Sequence, residues 1–279
     1  MWLCWLPCNE IVLASSTVNS FHKSLFLSVE FYHIRYNKRI KIEYKEREFM
    51  DKILLMLQLQ AQLNDATNGE DWTNGTTKNG KVINWRRCIY MECAEMVDSF
   101  SWKHWKSIHQ EPDWDNLQIE VVDVWHFIIS LAIENYSQNM KGGIEDLAIN
   151  ISQLESFSTI DTQSSRFASQ DEVIAKVENI ILLAVSKDEL ELETLLGEFF
   201  DLVLMSGLDL ETLYRLYVGK NILNQFRQDN GYKDGSYIKV WAGEEDNVVM
   251  KRLWEDDSNI KPDTLYKELT KIYFATAKN

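Results

Sequence analysis

Only three prolines (Pro7, Pro112 and Pro262) and eleven glycines interrupt this chain of 279 residues. A fold of many short strands needs frequent turns, and turns draw on these two residues. Their scarcity therefore favours long helices. From Met50 onward the apolar residues recur with the helical period. The pattern predicts helices over about 50–66, 84–100, 116–136, 171–186, 188–206, 209–228 and 262–276. Gly207-Leu208-Asp209 predicts a stop followed by an N-cap, because an Asp side chain accepts from the free amides of the next turn. Pro262 suits a first helical turn. The Ser- and Gln-rich stretch 144–170 receives no firm element and reads as a mobile helical insertion between two parts of a bundle. Residues 229–247, with Gly231, Gly235 and Gly243, read as a loop. The expected architecture over 50–279 is one all-α domain, a helical bundle.

Residues 1–49 differ in character. They carry seven Lys and Arg against five acids, so the remainder holds 22 basic and 38 acidic residues. The opening makes a poor signal peptide, lacking a basic segment before its apolar stretch and a clear cleavage site. Met50 opens a clean amphipathic helix. We read translation as starting there, with 1–49 a dispensable extension that is not part of the native protein; an extension weakly docked on the domain is the competing reading.

A net charge of −14 argues against a broad nucleic-acid surface, which needs a positive footprint. A small phosphate ligand remains compatible, since a few local cations and a divalent metal can hold it. No run of 18 apolar residues occurs, so no membrane-spanning helix is expected. The four cysteines (Cys4, Cys8, Cys88 and Cys93) form no zinc spacing, and a reduced, cytoplasmic protein is the plain expectation.

Two helices each carry a pair of acids three residues apart. Glu92 and Glu95 stand in the second helix, Glu120 and Asp123 in the third. Residues three apart share a face, and both pairs lie among Ile, Val, Met, Tyr and Trp. If the faces meet, four carboxylates converge in a half-buried space, which like-charge repulsion forbids unless cations join them. Oxygen-only donors select Mg²⁺, or Mn²⁺, over zinc. One such pair alone would describe a solvated face; two, both in apolar surroundings, make the metal reading competitive. Asp123 and His126 resemble half of a di-iron motif, but the matching half is missing, because Asp98 rather than His follows Glu95 by three.

A second dense segment runs from Gly219 to Lys233. Lys220, Asn224 and Arg227 lie on one helical stripe. A guanidinium grips phosphate oxygens as a fork, an ammonium acts as a point charge, and an amide reads a base edge. Tyr232 and Lys233 continue into a Gly-flanked loop that can fold over a ligand. Alone, this segment is a solvated helix end. Beside the acids it completes a scheme for a metal-bound nucleotide.

The run Asn84-Trp85-Arg86-Arg87-Cys88-Ile89-Tyr90-Met91-Glu92-Cys93-Ala94-Glu95, with Asp98-Ser99-Phe100-Ser101-Trp102-Lys103-His104-Trp105-Lys106, resembles the dimeric dUTPases. Glu120 to Phe127, Lys220 to Tyr237 and Glu245-Asp246-Asn247 resemble their other signature blocks. The resemblance covers about 50–279. It implies membership of the all-α NTP pyrophosphatase group, which includes the MazG-like enzymes. It further implies a cytoplasmic homodimer that hydrolyses dUTP, and also dUDP, to dUMP. By resemblance, Glu92, Glu95, Glu120 and Asp123 bind two or three Mg²⁺, with Glu95, then Glu92, as the candidate that orients or deprotonates water. Lys220, Arg227, Tyr232 and Lys233 resemble the phosphate-contacting residues, and Asn247 a substrate-binding position. Asn224, Gln60 and Asn64 resemble the uracil-reading amides, and His126 is expected near the sugar. Two alternatives stay open: a relative acting on dCTP as well as dUTP or on another nucleotide, since an amide can flip to suit either base, and a non-catalytic helical interaction protein whose acids are solvated.

Overall fold

The computed structural model describes residues 50–106, 111–162, 164–186, 190–257 and 260–276. The expectation for residues 1–49 lies outside them. Ten α-helices account for most of the described chain. The first, α1, covers 50–68 and is followed by a 3₁₀ turn at Trp72–Asn74. Then come α2 (Trp85–Asp98), α3 (Trp114–Gln138), α4 (Ile144–Gln153), α5 (Glu155–Thr162), α6 (Gln170–Val185), α7 (Leu192–Met205) and α8 (Leu210–Asp229). A two-stranded hairpin, β1 (Val240–Trp241) and β2 (Glu244–Glu245), leads to α9 (Asp246–Asp256) and α10 (Pro262–Thr276). The all-α expectation holds.

The helix ends follow local chemistry. Asn84 caps α2 by accepting from the Arg87 amide at 2.9 Å, and Asp209 caps α8 from the Thr212 amide at 2.8 Å, as its sequence position predicts. Ser169 and Glu172 form a reciprocal capping box that starts α6.

α3 is the central element. By length and composition it could cross a membrane, yet 78% of its most apolar window is buried inside the protein, and it packs against α1, α2, α7 and α8. It is therefore a core helix. Trp125 fills the middle of the core, stacked on Phe199 of α7 with ring centroids 4.8 Å apart.

Two regions differ from the sequence reading. The stretch 144–170 forms α4 and α5, whose Leu147, Ala148, Ile151, Phe157 and Ile160 join the common core. These helices are short, which weakens the periodic signal that a window of 11–18 residues can show. The segment 229–247 ends in the hairpin, where Ala242 (φ 52°) and Gly243 (φ 91°) make the two-residue turn with both residues left-handed. That hairpin delivers α9, which the sequence pattern did not announce.

α9 crosses α8 at Gly219. A Cβ placed there would lie 2.2 Å from Trp254 Nε1 and 2.7 Å from Met250 Sδ, both on α9. Gly219→Ala is therefore expected to force the helices apart and destabilise the protein by about 1–3 kcal/mol. Thermal unfolding checks this, and an unchanged Tm would show that α9 yields without cost.

Candidate active site

α2 and α3 lie side by side, and their i, i+3 spacing turns the acids toward each other. Glu92, Glu120 and Asp123 bring one ligand oxygen each within 4.8 Å of the others. Among the described residues this is the one such cluster of acids, histidines and cysteines. Glu95 lines the same cavity but is exposed at its edge, outside that triplet. The cavity measures about 650 Å³ and also meets Asp98 and Asn116.

The carboxylates stand where their charges are costly. Burial, then Asp123 and Glu95 nearby, pushes Glu92 up to about 7. Burial, then Asp123, pushes Glu120 up to about 8. Asp123 has a direct counter-ion in Lys220, 2.7 Å away and almost fully buried. The donors are oxygen only, and two of the three are held above their usual range. This set fits a hard divalent cation, which would supply the missing positive charge.

The opposite wall comes from α8 and the start of α9. Lys220 Nζ also donates to Asn247 Oδ1 at 2.8 Å. Arg227 donates through Nε and Nη2 to the two oxygens of Asp246, both at 2.8 Å, through Nη2 to Asn247 Oδ1 at 3.2 Å, and through Nη1 to Asn224 Oδ1 at 3.0 Å. Tyr237 adds a 2.7 Å donation to Asp246. Burial opposes charge on both partners, and the bidentate pair outweighs it, raising the Arg227 pKa and lowering that of Asp246. The guanidinium edge that the sequence reading reserves for phosphate is thus occupied by Asp246 in this structure. Tyr232 lies under the guanidinium, its ring centre 5.9 Å from Cζ.

A second cavity of about 370 Å³ adjoins the first, and both are lined by Asp123, Phe127, Asn224 and Gln228. Its floor is amide-rich. Gln60 and Asn64 of α1 face His126 of α3, and Trp85 lies beside Phe127 at 6.2 Å. His126 Nδ1 meets Gln60 Oε1 at 2.6 Å. Burial pushes its pKa down to about 3, so the ring is neutral. His126 faces this cavity rather than the carboxylates, which removes the di-iron reading.

Most residues singled out in the sequence converge here. Glu92, Glu95, Glu120, Asp123, Lys220, Asn224, Arg227, Tyr232 and Asn247 line the first cavity, while Gln60, Asn64 and His126 line the second. Lys233 lines neither; its Nζ donates to the Thr67 carbonyl at the end of α1, 2.8 Å away. The sequence reading missed Lys239, a cation on the wall of the first cavity, and Asp246, the fully buried partner of Arg227. Both fall in the segment read as a loop, where no periodicity signals direction. The aromatic block sits outside: Trp102 and Lys103 both donate to Asp98, at 3.0 and 2.7 Å, and Trp105 is exposed.

A family model described as dUTPase matches residues 52–232, well over half of the chain. This chain belongs to the dUTPase family. The helical architecture makes it the all-α type. The match runs from α1 to Tyr232, so it takes in both acid pairs, the amides of α1 and the cations of α8. Lys239, Asp246 and Asn247 lie beyond its end. No curated protein matches the chain.

Proposed function

We propose that this member of the dUTPase family is a Mg²⁺-dependent enzyme that hydrolyses dUTP to dUMP and pyrophosphate, and dUDP to dUMP and phosphate, as a cytoplasmic homodimer. The observation that carries the reading is the junction of two cavities. One offers carboxylates and cations suited to a metal-bound polyphosphate; the other offers amides suited to a base.

Glu92, Glu120 and Asp123 would hold Mg²⁺, with Glu95 completing the set, and Mn²⁺ is chemically similar. Held there, the metal would supply positive charge against the phosphates and lower the pKa of water. Glu95 is the freest of the four carboxylates and orients or deprotonates the attacking water. Lys220 and Lys239 face the polyphosphate from the opposite wall. Arg227, held by Asp246, contributes its positive field and its Nη1 side. Asn224, at the junction, keeps its amide hydrogens for a ligand because its oxygen serves Arg227. Gln60, Asn64 and His126 read the nucleoside, and Trp85 and Phe127 supply flat apolar walls for the base.

Hydrolysis of dUTP, dCTP, dTTP and UTP with Mg²⁺ and with EDTA, on the full chain and on Glu95→Gln, tests the proposal. Pyrophosphate is expected from dUTP, lost with EDTA and reduced at least about a hundredfold by the substitution. Folded, metal-replete protein that hydrolyses none of the four would overturn it and leave a helical interaction protein.

A further inference from the structure

Glu134 is a titratable group that the proposed chemistry leaves unused. It stands on α3 seven residues after Phe127 and eleven after Asp123, so the three share one stripe of the helix. Its Oε1 is buried. Burial pushes its pKa up to about 7, and the one influence against that rise is the indole N–H of Trp85; no other charged group among the described residues contributes. The loop before α2 passes close by, since a Cβ at Gly75 would lie 4.0 Å from Glu134 Oε1 and 3.9 Å from Gln138 Nε2. Gln138 is no partner for the carboxyl, because it directs that amide to the Thr73 carbonyl at 2.7 Å.

Trp85, the first residue of α2, carries the complementary handle. Its Nε1 is buried and makes no other hydrogen bond. The contact with Glu134 favours the ionised carboxyl, yet falls short of an ordinary hydrogen bond. Its direction is unambiguous, because an indole N–H only donates and a carboxylate only accepts. The ring otherwise meets aromatic neighbours. It stacks on Phe127 with centroids 6.2 Å apart and meets Trp72 edge-on at 5.7 Å. Trp72 is itself tied to Asp65 of α1 by a 2.9 Å donation. Aromatic faces tolerate offset, so they leave the indole free to slide in its plane; a polar anchor at the N–H sets where it stops.

That position matters because Trp85 and Phe127 both line the amide-rich cavity. Glu134 lines neither cavity, so it reaches a ligand only through Trp85. We propose that Glu134 is a positioning residue that anchors the Trp85 indole as a wall of the nucleoside cavity, so that nucleoside binding rather than the chemical step depends on it. The proposal rests on the nucleotide reading of that cavity.

Glu134→Leu removes the anchor, while Glu134→Gln keeps an acceptor oxygen for the indole. The leucine variant should raise KM for dUTP about three- to tenfold, the size of one lost aromatic contact, with kcat within about twofold. Glu134→Gln should return KM close to the wild-type value. The second readout is the ¹H–¹⁵N resonance of the Trp85 indole in unliganded protein, identified by its loss in Trp85→Phe. It is expected to move as the wild-type carboxyl ionises near pH 7 and to stay fixed in both Glu134 variants. A folded Glu134→Leu with unchanged KM overturns the proposal. So does a wild-type resonance that stays still between about pH 5 and 9, or one whose movement persists in Glu134→Gln. Where the leucine variant fails to fold, the titration decides. If the wild type hydrolyses no nucleotide, the function proposed for the site fails, and the titration still decides whether Glu134 holds Trp85.

Discussion

Glu120→Gln is expected to make the metal-free protein more stable while removing most of its Mg²⁺-dependent activity. Glu120 is held at about 8, against an ordinary 4.5, by burial and by Asp123. Between those values the folded protein retains a proton that the unfolded chain has released. Stability attached to this group is therefore complete below about pH 4.5 and is lost as pH rises through 8. Glu92, held at about 7, acts in the same direction. Metal-free wild type should thus lose stability between pH 5 and 8, and Glu120→Gln should flatten that slope and raise Tm at pH 8. Mg²⁺ should raise the wild-type Tm by mass action, increasingly with pH, because the ion binds the ionised carboxylates. The variant should respond far less, with activity down at least about a hundredfold. Thermal melts across pH with Mg²⁺ or EDTA read all of this. A metal-free wild type whose stability rises from pH 5 to 8 would contradict the geometry of the cluster.

The second large effect belongs to Asp246. This carboxylate is fully buried and accepts from two nitrogens of Arg227 and from Tyr237. Removing one member of a buried pair leaves the other charge uncompensated, so Asp246→Ala is expected to cost about 3–5 kcal/mol. For a domain of this size that lowers Tm by roughly 6–20 °C. Tyr237→Phe removes one hydrogen bond to the same carboxylate and should cost less, about 1.5–3 kcal/mol. Denaturant titration of both variants gives the ranking. A loss below about 1 kcal/mol in Asp246→Ala would mean that Arg227 reaches solvent once freed. The pair also ties α9 to α8, so its loss should displace Asn247 from Lys220 and weaken nucleotide binding.

Much of this site is local in the chain, and local features are legible. The i, i+3 spacing places Glu92 with Glu95 and Glu120 with Asp123 on shared faces whatever the fold. The stripe Lys220, Asn224 and Arg227 follows from the same periodicity, as do the long helices and the Asp209 cap. The pairing of partners is a different matter. Nothing near Arg227 announces that Asp246, nineteen residues on and across a hairpin, takes the guanidinium edge that would otherwise suit phosphate. Lys233 likewise looks like a phosphate ligand in sequence, yet reaches the carboxyl end of α1.

The helix that carries Asp246 and Asn247 was itself invisible. Its position depends on a left-handed two-residue turn and on the close crossing at Gly219, and both are set by contact rather than by pattern. The amide-lined cavity divides in the same way. Gln60 and Asn64 share a face by spacing, but Asn64 finds a hydrogen-bond partner in Ser130, 66 residues away along the chain. The sequence by itself determined the helices and which charged and amide groups share a face, because periodicity is a property of the backbone. Only the tertiary structure decided which of these groups neutralise or orient one another, since charge pairing and hydrogen-bond direction depend on separations of about 3 Å between distant residues.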